Sequence, residues 1–344
     1  MRFKSPLEAG RHAKGKREEI TPNSPDMDGR VRHIETIERD SPTYKYIFTL
    51  QEEIGESGAT DYHEYARRFW RNIAGENAKP DSEPFRMFEH NLIAGLHDIP
   101  MRELVYKHVL QAMPTLIEKY HDSIKHLSLW SKGDVSATGY QTAKIESSRI
   151  AHEFMREVAR QIPQETRRSF LEQKTSYDIA DDKFQDLVGH IGEALGASNG
   201  KIKVVIIEDS YKNFAAAKQA IRDSLGDKAA ERVDVEPIWV VYSREGINMR
   251  EKEGVSMKDF KEKYAKVRPI ESFEELIDEA RFEELFKDAH VFVDFDGVIG
   301  DNLRMRDAQA NVTLTAAIDG LSREWNLGRG ETRQRIEKIL SGAL

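Results

Sequence analysis

The stretch HVFVDFDGVIGD (290–301) decides how the chain is read. Its first half is too short and too apolar for a surface helix and suits a buried strand of a parallel sheet. Residues two apart on a strand point the same way, so Asp294 and Asp296 should face one crevice where the strand turns into a loop. Gly297 lets the backbone bend there. Three more runs share this character: LSLW (127–130), VVIIE (204–208) and PIWVVY (237–242). Helical stretches at 143–161, 183–196, 211–225 and 273–287 lie between them. Strand and helix in alternation predict an α/β fold on a doubly wound parallel sheet, with the HVFVDF strand last in sequence.

Outside this region the pattern changes. From about 31 to 120 apolar residues recur three or four apart, as in Tyr62, Tyr65, Phe69 and Ile73, then Leu104, Val105, Val109, Leu110 and Met113, which predicts helices. KPDSEPF (79–85) is a break. Residues 303–341 return to helix. Residues 1–30 are rich in Gly, Pro, Ser and charge of both signs and read as a mobile tail. No internal repeat or heptad array is present.

The 344 residues suffice for one large or two modest domains with a buried core. A net charge of −8 argues against bulk attraction to nucleic acid or an anionic membrane. The absence of cysteine excludes disulfides, thiolate metal sites and cysteine nucleophiles, and fits a cytoplasmic protein. No apolar run approaches the roughly 18–20 residues of a membrane helix, and residues 1–20 lack a signal peptide's apolar stretch.

In a doubly wound sheet ligands sit beyond the carboxyl ends of the strands. There the sequence offers Asp294, Asp296 and Gly297 after HVFV, then Glu208, Asp209, Ser210 and Asn213 around the end of VVII. After LSLW come Ser131, Lys132, Gly133 and Asp134. Asp, Ser and Gly also end strands because they make turns, and Asp209 or Ser210 could simply cap helix 211–225. As a set, clustered carboxylates call for a cation, hard oxygen donors suit Mg²⁺, and a divalent ion beside a carboxylate nucleophile suits phosphoryl chemistry.

These residues carry a resemblance. VFVDFDGVIGD is similar to motif I of the haloacid dehalogenase superfamily. LSLWSKGD resembles its motif II, and GYQTAKIESSRI resembles the Gln-x-x-Lys segment that follows motif II in phosphatase-like members. VVIIEDSYKNFAAAKQAI resembles motif IV. Lys183, 26 residues before Asp209, matches the motif III lysine; Lys174 is a weaker candidate. The resemblance covers about 121–302 and implies a Rossmann-like core. Motif I comes last rather than first, which implies circular permutation. The helical segments 31–120 and 303–344 would then form one inserted cap, with the new termini inside it.

The resemblance implies a Mg²⁺-dependent phosphatase acting on a small phosphorylated substrate. Asp294 would be the nucleophile that forms an aspartyl-phosphate, and Asp296 the general acid and base. Asp209, Asp294 and the Asp296 carbonyl would hold Mg²⁺. Ser131 and Lys183 would bind the transferring phosphoryl group, with Lys132 and Gly297 beside it. The same intermediate would serve a phosphotransferase or mutase, and a non-catalytic binding protein could keep the fold. Motif IV departs from the family pattern at Glu208, where Gly is usual, and at Asn213, where a second Asp is usual.

Other signals fall away. His90, His97, His121 and His126 form no HExxH pair and read as structural or solvated. LGASNGKI fails the phosphate-loop pattern because Leu195 stands where its first glycine is needed and Ile202 follows Lys201. YARRFWRNI reads as core with an exposed basic face. The acidic segment 271–284 reads as a solvated helix face.

Overall fold

In a computed structural model, which describes residues 34–56, 62–75, 79, 81–132, 140–180 and 183–342, the apolar runs pair into one sheet. The chain enters through helices α1 (Pro42–Glu56), α2 (Tyr62–Ala74), α3 (Glu83–His97) and α4 (Lys107–Tyr120). It continues as β1 (His126–Lys132), α5 (Tyr140–Gln161), β2 (Thr175–Ala180), α6 (Lys183–Ala197), β3 (Ile202–Glu208), α7 (Tyr211–Leu225) and β4 (Val233–Val240). Then follow α8 (Arg244–Glu253), α9 (Met257–Lys263), β5 (Pro269–Ile270), β6 (Ala289–Asp294), α10 (Asn302–Trp325) and α11 (Arg329–Leu340).

The six strands are all parallel in the order β2-β1-β6-β3-β4-β5, a Rossmann-like α/β arrangement. β6 lies at the centre, between β1 and β3. Val291, Phe292 and Val293 of β6 are buried, which for side chains of this kind stabilises by roughly 1.5–3 kcal/mol each. The sequence pattern misses β2 and β5, the two edge strands. β2 reads TSYDIA, half polar, and β5 is only two residues long. An edge strand has a partner on one side only and can carry polar residues, as β2 does.

The chain divides into two compact units. Within the described residues the sheet unit takes in 104–132 and 147–302. One face of its core gathers Trp130, Leu187, Ile191, Val204, Ile206, Phe214, Trp239, Phe260 and Phe292. Helix α7 turns Phe214, Ala217 and Ile221 inward at three- and four-residue spacing and stops at Gly226, φ 81°. The expected helix over 273–287 is instead three short pieces, Glu275–Asp278, Ala280–Phe282 and Glu283–Phe286. Glu279 is extended and interrupts it, while Phe273, Leu276, Phe282 and Phe286 are buried and fix each piece. The segment 271–284 is therefore not simply a solvated helix face.

The second unit holds the described parts of 34–103, 140–146 and 303–342. Its core joins Tyr65, Phe69, Trp70, Phe85 and Phe88 to Leu314, Ile318, Leu321 and Ile336. The rings of Phe69 and Trp70 each stack on Phe88 at 5.6 Å. Arg67 and Arg71 on α2 are exposed, so YARRFWRNI is core with a basic outer face. The expected helical segment 31–120 is divided by the structure, because 104–120 belongs with the sheet. Val105 bridges Gly300, the Tyr106 amide donates to the Ile299 carbonyl at 2.9 Å, and the Tyr120 hydroxyl donates to the Leu276 carbonyl at 3.1 Å.

At the amino edge of the sheet His126, His190 and His290 meet. His190 Nε2 lies 2.9 Å from His290 Nδ1, and the His126 and His190 rings stack at 4.1 Å. His126 Nε2 is 2.9 Å from Ser176 Oγ. Burial first, then the two neighbouring imidazoles, pull His126 down to about 3. Burial and His190 pull His290 down to about 4. The reading of His126 as structural fits this packing. Residues 1–33 and 133–139, with the tail and with Gly133 and Asp134, lie outside the described residues. Among the described residues no helix is long and apolar enough to cross a membrane.

Candidate metal centre at the carboxyl edge of the sheet

Because every strand is parallel, all carboxyl ends open on one edge. The chain order reverses direction about β6, and that switch point is where crevices form in such sheets. Asp294 ends β6 opposite Trp130 of β1, and Ile207 of β3 is opposite Val293. Glu208, the next residue of β3, therefore lies level with Asp294. Asp209 follows in the connection to α7.

The carboxylates of Glu208, Asp209 and Asp294 each offer an oxygen within 4.8 Å of the others. Asp294 is 5% exposed and Glu208 fully buried. Two unit negative charges at that spacing repel by about 3.5 kcal/mol at an effective dielectric of ~20. Three such pairs need protons, donors or a cation to offset them. Oxygens 2.0–2.1 Å from one Mg²⁺ lie at most about 4.2 Å apart, so only a sub-ångström adjustment separates the triad from a shared coordination shell. Hard oxygen donors and a buried excess of negative charge both fit that ion.

Local structure fixes each group. Glu208 Oε1 accepts from the amides of Asp209 and Ser210, both at 3.1 Å. Ser210 occupies the N-cap position of α7, but its hydroxyl makes no cap bond and donates to Glu245 Oε1 at 3.0 Å. Glu208 thus satisfies the two amides just before α7, and Ser210 does not cap the helix with its side chain. The Asp209 carboxylate lies instead against Gly297, where any Cβ would collide with it. Its carbonyl accepts from Trp239 Nε1 at 2.8 Å, which ties the segment to β4.

After Asp294 the backbone forms a tight turn. The Phe295 carbonyl accepts from the amides of Ile299 at 3.0 Å and Gly300 at 2.8 Å. Gly297 has φ 84°, a conformation that favours glycine. The Phe295 amide donates to the Trp130 carbonyl at 2.8 Å, and the Tyr242 hydroxyl donates to the Val298 carbonyl at 2.8 Å. Asp296 is half-buried in this turn, two residues beyond Asp294.

Of the residues singled out from sequence, Asp294 and Asp209 come together, and Gly297 packs directly on Asp209. Asp296 is on the adjoining turn and outside the carboxylate triad. Ser131 and Lys132 end β1 on the same edge, and Lys183 opens α6; their side chains, with those of Gln141 and Lys144, lie outside the described residues. Lys174 precedes β2 at the opposite edge and donates to the carbonyls of His121 and Ile124, a structural duty. Asn213 lies in the first turn of α7, its amide bonded to the Ser210 carbonyl. The sequence placed Glu208 among the strand-end carboxylates but did not assign it to the cation, and it is the third member of the triad. Its signal was position alone, the last residue of a buried strand.

Comparisons with family models, with curated proteins and with solved structures find no match to this chain.

Proposed function

We propose that the chain is a Mg²⁺-dependent phosphomonoesterase of the haloacid dehalogenase type, with its nucleophile strand last in sequence. The convergence of Asp294, Asp209 and Glu208 at the carboxyl end of the central strand carries this reading. The order of the strands supports it as well, since motif I of that family is expected between motifs II and IV, the positions of β6, β1 and β3. The helices of 303–342 share a core with those of 42–97, as the two halves of one interrupted cap would.

Asp294, Asp209 and Glu208 would hold the cation, which would offset the repulsion between a carboxylate nucleophile and an anionic phosphate. Glu208 also balances Asn213. The resemblance expects a second motif IV carboxylate at Asn213 and none at Glu208, so the exchange leaves the number of carboxylates unchanged. In the first step an Asp294 oxygen attacks phosphorus while the bond to the leaving oxygen breaks. That oxygen takes a proton from Asp296. In the second step water attacks phosphorus, its proton passes to Asp296, and inorganic phosphate leaves as the Asp294 carboxylate is regenerated. Ser131 and Lys183 are the proposed phosphoryl ligands, with Lys132 beside them.

The test is hydrolysis of p-nitrophenyl phosphate and of an alkyl phosphate, with Mg²⁺ and with chelator. The expected outcome is Mg²⁺-dependent release of phosphate that is lost in Asp294→Asn, whose melting temperature stays near wild type. An amide is nearly isosteric with the carboxylate but cannot serve as the nucleophile. Wild-type rates in Asp294→Asn reject the nucleophile. A folded wild-type protein inactive on both substrates with Mg²⁺ rejects the hydrolysis itself.

A further inference from the structure

The turn Phe295–Gly300 carries Asp296, and it is held from several sides. The Phe295 amide is bonded to Trp130, the Ile299 carbonyl accepts from the Tyr106 amide, and the Asp301 amide donates to the Leu104 carbonyl. These anchors are backbone to backbone. Tyr242 adds a side chain from the far side of the sheet. It stands two residues beyond β4, at the carboxyl edge, and its hydroxyl donates to the Val298 carbonyl at 2.8 Å.

The phenol is itself held in place. Its ring meets Tyr106 edge-on at 5.1 Å and His108 edge-on at 4.5 Å. Tyr106 is the same residue whose amide holds Ile299, so one aromatic cluster grips two successive carbonyls of the turn. Desolvation, reinforced by Tyr106 and by the negative charges of Asp209 and Glu274, pushes the Tyr242 hydroxyl well above the ordinary phenol range. It therefore stays protonated, and stays a donor, across any working pH.

We infer that Tyr242 is a positioning residue, fixing the Phe295–Gly300 turn and through it the proton-transferring carboxyl of Asp296. The inference rests on the proposed role of Asp296 and deepens it. Val298 is two residues from Asp296, and Gly297 between them has no Cβ to stiffen the link. Without the Tyr242 bond, the Val298 carbonyl loses the side-chain donor that ties it to the segment after β4. General acid–base groups contribute about 10²–10⁴-fold, and misplacing such a group by about 1 Å can cost 10²-fold. That loss falls on substrates whose leaving oxygen needs a proton.

The experiment is Tyr242→Phe, which keeps the ring against Tyr106 and His108 and deletes one oxygen. On an alkyl phosphate kcat should fall about 10–100-fold, with KM little changed. On p-nitrophenyl phosphate, a good leaving group, the fall should stay within about threefold. Backbone amide exchange at Gly297, Ile299 and Gly300 should quicken about tenfold or more, while Val205 and Val291 in the sheet exchange as before. Equal losses on both substrates would mean a merely structural role, and unchanged exchange would mean no anchor; either overturns the inference. A wild type inactive on both phosphates rejects the hydrolysis reading and the role of Asp296 with it. The exchange measurement then still decides whether Tyr242 holds the turn.

Discussion

Acidification should unfold the protein through the histidine array at the amino edge of the sheet, and His126 sets the size of the effect. Unfolded, His126 titrates near 6.5; folded, it titrates near 3. The native value is the lower one, so the unfolded chain binds the proton more tightly. Stability is therefore fully present above about pH 6.5 and drains away as pH falls, until protonation of the folded state begins near pH 3. Between pH 7.5 and pH 5.0 the unfolded chain gains about 2 kcal/mol from this one proton, because RT ln(1 + 10^1.5) is about 2.1 and RT ln(1 + 10^−1) about 0.1. Any native value below about 4 gives the same loss to within ~0.1 kcal/mol. His290 adds in the same direction with a smaller share, being more exposed. The assay is chemical denaturation at pH 7.5 and 5.0 of wild type and of His126→Gln, which keeps a hydrogen-bonding group near Ser176. Carboxylates that respond to acid do so in both proteins and cancel in the comparison. Wild type should lose about 2 kcal/mol more than the variant over this range. Equal losses in the two proteins would refute the reasoning, since the depressed titration of His126 would then not be coupled to folding.

Two further outcomes follow from the carboxyl edge. Asp296→Asn should lower kcat by about 10²–10⁴-fold on an alkyl phosphate and least on p-nitrophenyl phosphate, measured in steady state with melting curves as a folding control. Gly297→Ala should cost about 1–3 kcal/mol, because alanine must adopt φ 84° and its Cβ displaces the Asp209 carboxylate. Mg²⁺ is expected to raise the melting temperature of wild type but not of this variant, measured by thermal shift with and without the ion. A Mg²⁺ response equal to wild type would show that Asp209 does not need its contact with Gly297 to bind.

How much of this was legible in the sequence depended on burial. β1, β3, β4 and β6 announce themselves because central parallel strands are apolar on both faces and read as unbroken runs. TSYDIA does not, since an edge strand has one ladder of partners and tolerates Ser176 and Asp178. The helix expected over 273–287 fails for a tertiary reason: its buried residues Leu276, Phe282 and Phe286 sit on three separate short pieces, and Glu279 is extended between the first two. Asp294 and Asp209 could be found because they follow such runs at the edge where ligands bind. Glu208 could not. Alternation along a strand gives the direction of its side chain only while the strand lasts, and at its end the chain turns toward α7, where the carboxylate accepts from the Asp209 and Ser210 amides and joins the triad. Tyr242 was equally hidden, because its partner is a backbone carbonyl more than fifty positions away. The side-by-side packing of 42–97 with 302–340 leaves only periodicity in the sequence, which says that a helix has a partner and not which one.

The strand that completes the sheet is also the last to leave the ribosome. β2 and β1 can pair early, and β3, β4 and β5 can pair among themselves, but no hydrogen bonds join the two groups until β6 enters between them. Until then β1 and β3 each present an open edge, the kind of surface that recruits the wrong neighbour. The gap closes through contacts of very long sequence separation, such as Trp130 with Asp294, which form slowly because the intervening loop must first be closed. Asp294, which closes the sheet against Trp130, is also the proposed nucleophile. A nascent or truncated chain therefore cannot hold the finished carboxylate triad on an unfinished scaffold: synthesis delivers the last strand of the sheet and the proposed nucleophile in the same few residues.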